Sequence, residues 1–278
     1  MHCPLSDVNF TDPQYLSLLH RLAEQMNGLV RGNVPVVSVA GAQGSGKTTL
    51  ALALQRLLQE QYAIGAVTLS LDDFYLTREE RHRLAQDVHP LLGTRGVPGT
   101  HDVDWMTRAI DALRQGRSTE IPRFDKAVDD RMEALQPVPP AQLVICEGWC
   151  WGAVPEPSNR LVSPLNRLEA EKDPDGSWRR YVNRRLEDYQ PLFENDCHIF
   201  LQVPSTEAVF QWRWQQEQEL RLQAGEAGRV MNEQQVRDFI QYYERITRWM
   251  LETSPSRADV CVTLDDDHRF SGDSGTIQ

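Results

Sequence analysis

Apolar and polar positions along the chain follow two alternating periodicities. Short apolar runs predict buried strands at residues 34–40, 65–71, 143–146, 197–203 and 259–264. Apolar residues at helical spacing predict helices at residues 15–26, 48–62, 105–115, 210–224 and 234–251. Because strands alternate with helices, the pattern predicts an α/β fold, a three-layer, doubly wound and mostly parallel sheet with helices on both faces.

Several segments follow neither periodicity. Residues 91–104 and 121–131 are polar and contain glycine or proline, so we expect them to form substrate loops. Residues 152–176 contain four prolines, and we expect a flap or a mobile segment there. The small, polar stretch at 269–278 is expected to be frayed.

The segments together indicate one domain over residues 1–278. It would begin with a helix within about residues 12–30. A lid region is expected over about residues 205–230, where Gly225 and Gly228 could provide a hinge.

Composition narrows the class of protein. Hydrophobic residues make up 40% and charged residues 25% of the chain, as in globular proteins with a core. The net charge of −11 argues against general nucleic-acid binding, which requires a positive surface. Five cysteines, an odd number, indicate reduced thiols, and no run of 18 apolar residues could span a membrane. We therefore expect a cytoplasmic protein, either a monomer or a homodimer.

The most specific motif is a glycine-rich loop between a predicted strand and a predicted helix. It reads Gly41-x4-Gly46-Lys47-Thr48. Its glycines allow successive N–H groups to point inward and bind an anion, and the following helix adds its positive end. Lys47 is expected to contact the β- and γ-phosphates of ATP, and Thr48 to ligate Mg²⁺. The predicted nucleotide-binding residues are Gly41, Ala42, Gln43, Gly44, Ser45, Gly46, Lys47, Thr48 and Thr49.

Carboxylates follow two of the predicted strands. Asp72 and Asp73 end the second strand, and Glu147 ends the third. A kinase that acts on a hydroxyl needs a carboxylate to accept its proton, and Asp72 is the candidate base. Asp73 could hold Mg²⁺ through water or position Asp72, although paired aspartates also cap turns. Glu147 has the position of a Walker B carboxylate that contacts Mg²⁺.

Two absences indicate which kind of P-loop protein this is. The chain has no Asn-Lys-x-Asp motif, which reads guanine in GTPases, and no arginine-finger signature of oligomeric ATPases. Both absences favour a small-molecule kinase.

Together these motifs resemble the D-glycerate 3-kinase family, within the phosphoribulokinase and uridine kinase group of P-loop kinases. The resemblance rests on the phosphate loop and on residues 70–77, 95–102, 122–126 and 147–149. It implies ATP-dependent phosphorylation of D-glycerate to 3-phosphoglycerate, with Asp72 as base and a lid helix that closes over the phosphates. The chain departs from plant members at residues 127–131, and its segment 152–176 is its own.

The acceptor of such a reaction would be a small anion, for which arginine or lysine is the suitable partner. Predicted acceptor-binding residues are Asp73, Tyr75, Arg95, His101, Asp102, Arg123, Lys126 and Arg131. His101 could hold a hydroxyl, with Asp102 fixing the imidazole tautomer.

Two further elements are candidates for the nucleotide side. Arg213 is the candidate catalytic arginine of the lid, although an ordinary solvated helix would show the same pattern. The acidic run 265–267 either borders the adenine or is a solvated tail.

The sequence thus predicts a kinase that uses ATP and Mg²⁺, with D-glycerate as the expected acceptor. Two alternatives remain at this point. One is a kinase for a nucleoside, a pantothenate-like acid or another sugar acid, and the other is a non-catalytic ATP-binding regulator.

Overall fold

A central sheet of six strands organises the fold. The computed structural model describes residues 12–224 and 231–276. The strand order is β10-β9-β8-β1-β7-β2, and only β10 runs antiparallel to its neighbour in the sheet. These strands are β1 (Val36–Gly41), β2 (Ala66–Ser70), β7 (Leu143–Gly148), β8 (Cys197–Gln202), β9 (Val260–Leu264) and β10 (Phe270–Gly275). The prediction of a mostly parallel α/β sheet is confirmed.

Helices and two small hairpins complete the architecture. The helices are α1 (Pro13–Leu29), α2 (Lys47–Tyr62), α3 (Arg78–Asp87), α4 (Val103–Arg114), α5 (Arg167–Lys172), α6 (Ser177–Tyr189), α7 (Thr206–Ala224) and α8 (Glu233–Thr253). The hairpins pair β3 (Thr119–Ile121) with β6 (Gln136–Val138) and β4 (Phe124–Asp125) with β5 (Asp130–Arg131). Within the described ranges, no helix is long and apolar enough to cross a membrane.

Alternating side chains of the sheet bury two hydrophobic layers. In β1, Val36 and Ala40 face a cluster that includes residues of α4, α6 and α8. Val37 and Val39 face the opposite cluster, with α1, α2 and α7. Since strand side chains alternate between faces, the fully buried β1 has apolar partners on both sides. The glycine-rich loop that follows β1 is therefore anchored in the centre of the fold.

Two predicted irregular segments are ordered parts of the structure. The tail expected to be frayed forms β10, which pairs with β9, so that prediction was wrong for Phe270–Gly275. Residues 152–176 do not form a flap. They pack against α6 and α8, and their carboxylates Glu169 and Asp173 are fully buried against Arg245 and Arg179. The hinge proposed at Gly225 and Gly228 lies outside the described residues.

Candidate active site

The phosphate loop has the backbone shape that its glycines predict. Gly44 and Gly46 have positive φ values of 79° and 86°, which favour glycine. A Cβ on Gly41 would lie 2.6 Å from the Ser45 hydroxyl and 2.9 Å from Leu201 Cβ. Lys47, directly after Gly46, is the first residue of α2. Lys47, Thr48 and Thr49 thus form the first helical turn, where N–H groups lack intrahelical partners.

Two buried polar side-chain atoms in this loop have no hydrogen-bond partner among the described residues. They are Oε1 of Gln43 and Oγ of Ser45. Buried polar atoms without partners are rare and usually mark a site for a ligand or water. A loop of this shape at a helix N-terminus suits a phosphate chain.

A hydroxyl and a carboxylate meet beside the loop, as a magnesium site requires. The Thr48 hydroxyl donates to Oε1 of Glu147 at 2.9 Å, and the Ser70 hydroxyl donates to the same oxygen at 2.7 Å. Glu147 is buried at the end of β7. Both groups are hard oxygen ligands, and Mg²⁺ commonly binds one or two such groups together with substrate phosphates. The residues therefore fit Mg²⁺, although the described part of the chain has no cluster of three His, Cys, Asp or Glu ligands.

Asp73, the other predicted metal ligand, has protein partners on both carboxylate oxygens. Arg123 donates to Oδ2 at 2.7 Å, and the Phe124 amide donates to Oδ1 at 3.3 Å. Burial raises the pKa of Asp73, although the Arg123 charge opposes that effect. Asp73 thus joins the β2 end to the 121–131 segment, and its predicted part in metal binding stays a prediction.

Asp72 lies close to both the phosphate loop and the 121–131 segment. Lys126 donates to its Oδ2 at 2.6 Å, and the Tyr75 hydroxyl donates to its Oδ1 at 2.6 Å. Burial raises the pKa of Asp72, but the charges of Lys126 and Lys47 and the two hydrogen bonds outweigh burial and hold it below its usual range. Asp72 is therefore ionised at neutral pH, as a proton acceptor must be.

Aromatic side chains pack against Tyr75, which donates a hydrogen bond to Asp72. The Tyr75 ring lies 4.8 Å from the His101 ring and 5.0 Å from that of Phe124. Nδ1 of His101 and the Tyr189 hydroxyl are 2.7 Å apart. Burial lowers the pKa of His101 to about 4, so its imidazole is neutral at pH 7.

Asp102 does not fix the imidazole tautomer, and that part of the prediction was wrong. Its Oδ1 accepts from the Trp105 amide at 3.0 Å, so that it caps the N-terminus of α4. Its Oδ2 accepts from Arg131 at 3.3 Å. The partner of His101 is instead Tyr189 of α6, which is distant in sequence.

All four predicted acceptor cations pair with aspartates, and the partner of Arg131 is Asp102. Arg95 pairs with Asp129, as Arg123 does with Asp73 and Lys126 with Asp72. Each of these three pairs joins the 121–131 segment to another loop near Asp72.

The fourth cation, Arg131, supports the backbone of the β2 end. It donates to the carbonyl oxygens of Tyr75 at 2.6 Å and Phe74 at 3.4 Å. Its guanidinium also lies over the Trp105 ring, 5.4 Å from the centroid. Arg131 thus holds the turn that carries Asp72, rather than standing free to bind an acceptor.

Helix α7 lies against the phosphate loop. A Cβ on Gly44 would be 3.4 Å from Cβ of Trp212 and 3.8 Å from the amide nitrogen of Arg213. The side chain of Arg213 pairs with Glu217 on the same helix. The helix predicted as a lid therefore lies beside the loop, while its arginine is held by a carboxylate.

The loop between β9 and β10 packs against Trp212 of α7, beside the phosphate loop. His268 stacks on Trp212 with 4.2 Å between ring centroids, and Nε1 of Trp212 donates to the Asp266 carbonyl at 3.1 Å. Burial lowers the pKa of His268, and the nearby Ser45 backbone opposes that effect. Sequence reasoning placed the 265–267 run near the nucleotide or in solvent but missed His268 and Trp212. The only signal for His268 was its place after the last predicted strand.

Ser70, Asp129 and Tyr189 were also missed. Ser70 is the last residue of β2, so the rule that ligands gather at strand ends could have found it. Asp129 and Tyr189 contact site residues that are 34 and 88 residues away in sequence, and no local pattern marks them.

Comparison with known proteins agrees with this site. Residues 36–163 match the model of the phosphoribulokinase / uridine kinase family. A Schizosaccharomyces pombe protein named "Uncharacterized kinase mug58" is 35% identical over 221 residues, 75% of this chain and 78% of that protein.

Two solved structures share the fold over nearly the whole chain. D-glycerate 3-kinase from Cryptococcus neoformans var. grubii has a TM-score of 0.75 and 25% identity, covering 93% of this chain and 99% of its own. The YGR205w protein has a TM-score of 0.74 and 23% identity, covering 95% and 98%. The chain belongs to the phosphoribulokinase / uridine kinase family and is a P-loop kinase similar to D-glycerate 3-kinase.

Proposed function

We propose that this kinase transfers the γ-phosphoryl group of ATP to the 3-hydroxyl of D-glycerate. The observation that carries the proposal is the position of Asp72. Its ionised carboxylate follows β2. Its Oδ2 accepts from the Lys126 ammonium at 2.6 Å, and it lies at the same strand ends of the sheet as the phosphate loop. A small acceptor that has both a hydroxyl and an anionic group suits this arrangement of a base next to cations.

The phosphate loop supplies the donor half of the reaction. Lys47 and the N–H groups of the first turn of α2 bind the β- and γ-phosphates. Thr48 and Glu147 would hold Mg²⁺, which neutralises phosphate charge when bound. The unpartnered Ser45 and Gln43 oxygens add to the polar lining of the loop.

Asp72 carries out the proton step at the acceptor half. The acceptor oxygen forms a bond to the γ-phosphorus while the bond from that phosphorus to the bridging oxygen breaks, and ADP leaves. Asp72 takes the proton of the attacking hydroxyl. The Tyr75 hydroxyl donates to Oδ1 of Asp72 at 2.6 Å and keeps the carboxylate oriented.

Cations near Asp72 supply the recognition of an acceptor carboxylate. Arg95, Arg123 and Lys126 each pair with an aspartate, so an anionic acceptor would exchange for one of these aspartates. An acceptor without a negative charge offers no such exchange. D-glycerate meets this requirement, and the resemblance to D-glycerate 3-kinase points to the same acceptor.

A coupled assay of ADP release tests the acceptor. The purified chain is given ATP, Mg²⁺ and, in turn, D-glycerate, uridine, pantothenate and other sugar acids. We expect the highest kcat/KM with D-glycerate. Turnover with another alcohol and none with glycerate would refute the acceptor, and nucleotide binding without any acceptor-dependent release would indicate a regulator.

Replacing Asp72 by asparagine tests the base. The change keeps the size of the side chain but removes the proton acceptor, so kcat should fall by about 10²- to 10⁴-fold. ATP affinity, measured by calorimetry, should stay within about twofold, because the phosphate loop is intact. The matched control is Asp104→Asn, an exposed aspartate in the first turn of α4, which should leave kcat unchanged. Full activity of Asp72→Asn would exclude Asp72 as the base.

A further inference from the structure

Two of the predicted acceptor cations, Arg95 and Lys126, are held to different degrees. Arg95 pairs with Asp129, and its guanidinium also lies over the Phe124 ring, 5.4 Å from the centroid. Asp129 in turn is held by Arg81, which is 1% exposed. These contacts fix Arg95 in a network of several partners.

Lys126 is held by much less. Its ammonium makes one hydrogen bond to a described residue, the 2.6 Å contact with Asp72, and 53% of its side chain is exposed. Residue 126 begins the turn between β4 and β5. A lysine is a compact charge on a flexible stem, so it can exchange partners without moving the backbone.

The hydrogen bond from Lys126 also covers Asp72, the proposed base. Lys126 occupies Oδ2 of Asp72, and the Tyr75 hydroxyl occupies Oδ1 at 2.6 Å. A hydroxyl or a water that is to give its proton to Asp72 therefore shares the carboxylate with two donors, one of which is charged. Charge-assisted hydrogen bonds are the stronger kind, so the ammonium is the greater obstacle.

We propose that Lys126 is a gate that determines acceptor specificity: it covers Asp72 until the carboxylate of an acceptor draws the ammonium away. This inference rests on the proposed function, since it concerns the same base and the same acceptor. A carboxylate can compete with Asp72 for Lys126 through a charge-assisted hydrogen bond, whereas water and uncharged alcohols compete more weakly. The gate therefore favours hydroxy acids and suppresses the hydrolysis of ATP by water.

The suppressed side reaction is a phosphoryl transfer to water. The water oxygen forms a bond to the γ-phosphorus, the bond to the bridging oxygen of ADP breaks, and Asp72 takes a water proton. The products are ADP and inorganic phosphate. No further reactant is needed, so hydrolysis reports directly on how accessible Asp72 is.

Lys126→Met tests the gate. With ATP and Mg²⁺ and no acceptor, we expect ADP release to rise about tenfold over the wild type, because a charged donor to the base is gone. The ratio of kcat/KM for D-glycerate to that for glycerol should fall by about tenfold or more. Lys126→Arg retains the charge, so we expect its hydrolysis to rise less than that of Lys126→Met.

Lys172→Met is the matched control. Lys172 is exposed in the last turn of α5, so its replacement should change neither the hydrolysis nor the glycerate-to-glycerol ratio. Lys126→Gln provides a second variant if the methionine variant does not fold. Unchanged or lower hydrolysis in a folded Lys126→Met or Lys126→Gln protein would overturn the gate.

The two proposals fail in different ways. Absence of turnover with D-glycerate in the wild type would refute the proposed acceptor, while the hydrolysis comparison, which needs no acceptor, would still decide the gate. Turnover of the wild type with glycerate, together with unchanged hydrolysis in the variant, would overturn the gate alone.

Discussion

Replacing Arg245 by methionine tests how the 152–176 segment is held in the fold. Arg245, on α8, donates to Glu169 at 2.7 and 2.6 Å and to Glu156 at 3.4 Å. It also donates to the carbonyl oxygens of Arg160 at 3.1 Å and Ser163 at 3.0 Å. A single guanidinium thus satisfies two carboxylates and two backbone oxygens.

The expected loss in the free energy of unfolding of Arg245→Met follows from the burial of its partners. Glu169 is 0% exposed and Glu156 is 8% exposed, so neither carboxylate can replace the lost guanidinium with bulk water. Removing one partner of a buried ion pair typically destabilises a protein by about 3–5 kcal/mol. Methionine retains most of the apolar stem of arginine, so the loss measures the charge and its hydrogen bonds. Since whole domains are stable by about 5–15 kcal/mol, the effect is large.

Urea unfolding followed by circular dichroism measures the effect. Arg248→Met on the same helix is the matched control, because Arg248 is half exposed and pairs with Glu244 one turn away. Exposed pairs contribute about 0–1 kcal/mol, so the control should unfold near the wild-type midpoint. Equal losses in the two variants, or a loss below about 1 kcal/mol for Arg245→Met, would refute the reasoning from burial.

Two further predictions concern pH and the nucleotide. Burial lowers the pKa of both His101 and His198 to about 4. Unfolded histidines, with a pKa of about 6.5, bind protons that the buried ones do not, so stability falls as pH falls from about 6.5 towards 4. Between pH 6.5 and 5 the loss should be about 1.6 kcal/mol for each histidine, and urea unfolding of His198→Gln should show a smaller pH slope than the wild type. An equal slope would contradict the assignment. Separately, His268→Ala removes the ring that stacks on Trp212 beside the phosphate loop, so KM for ATP should rise about tenfold while KM for the acceptor stays constant. Steady-state kinetics with each substrate varied decides this, and an equal rise in both KM values would indicate a general structural defect.

The donor half of the site could be predicted because it is local. The residues from Gly41 to Thr48 are contiguous, and the strand before them and the helix after them have clear periodicities. Asp72 and Glu147 were also accessible, since the ends of parallel strands meet at one edge. The strand order that brings them together required only the α/β pattern.

The acceptor half depends on contacts that no periodicity records. Asp129, which pairs with Arg95, lies in a turn with a positive φ of 57°. Tyr189, which pairs with His101, belongs to a helix that the pattern did not predict. Each partner is a common residue type in an unremarkable local sequence, so only the fold can pair them.

Three parts of the chain show different physical reasons why the pattern failed. Helix α3 is highly charged, and Arg81 is its only buried residue, so it has no apolar stripe, although the Thr77–Glu80 capping box was visible. Strand β10 contains mainly small and polar residues and is held by backbone pairing with β9. Segment 152–176 resembles a loop because of its prolines, yet buried ion pairs with α6 and α8 hold it.

The order of the sheet divides the site into two sides. The phosphate loop follows β1, which lies between β8 and β7. Glu147, near the end of β7, and Asp72, after β2, lie on one side of that loop. Trp212 and His268, which come after β8 and β9, lie on the other. We therefore infer that acceptor choice depends on the β2 side, whereas nucleotide affinity depends on the β8–β9 side together with the phosphate loop and Glu147. Substitutions at residues 123–131 should then change the acceptor without changing the affinity for ATP, which a site shared evenly between the two sides would not allow.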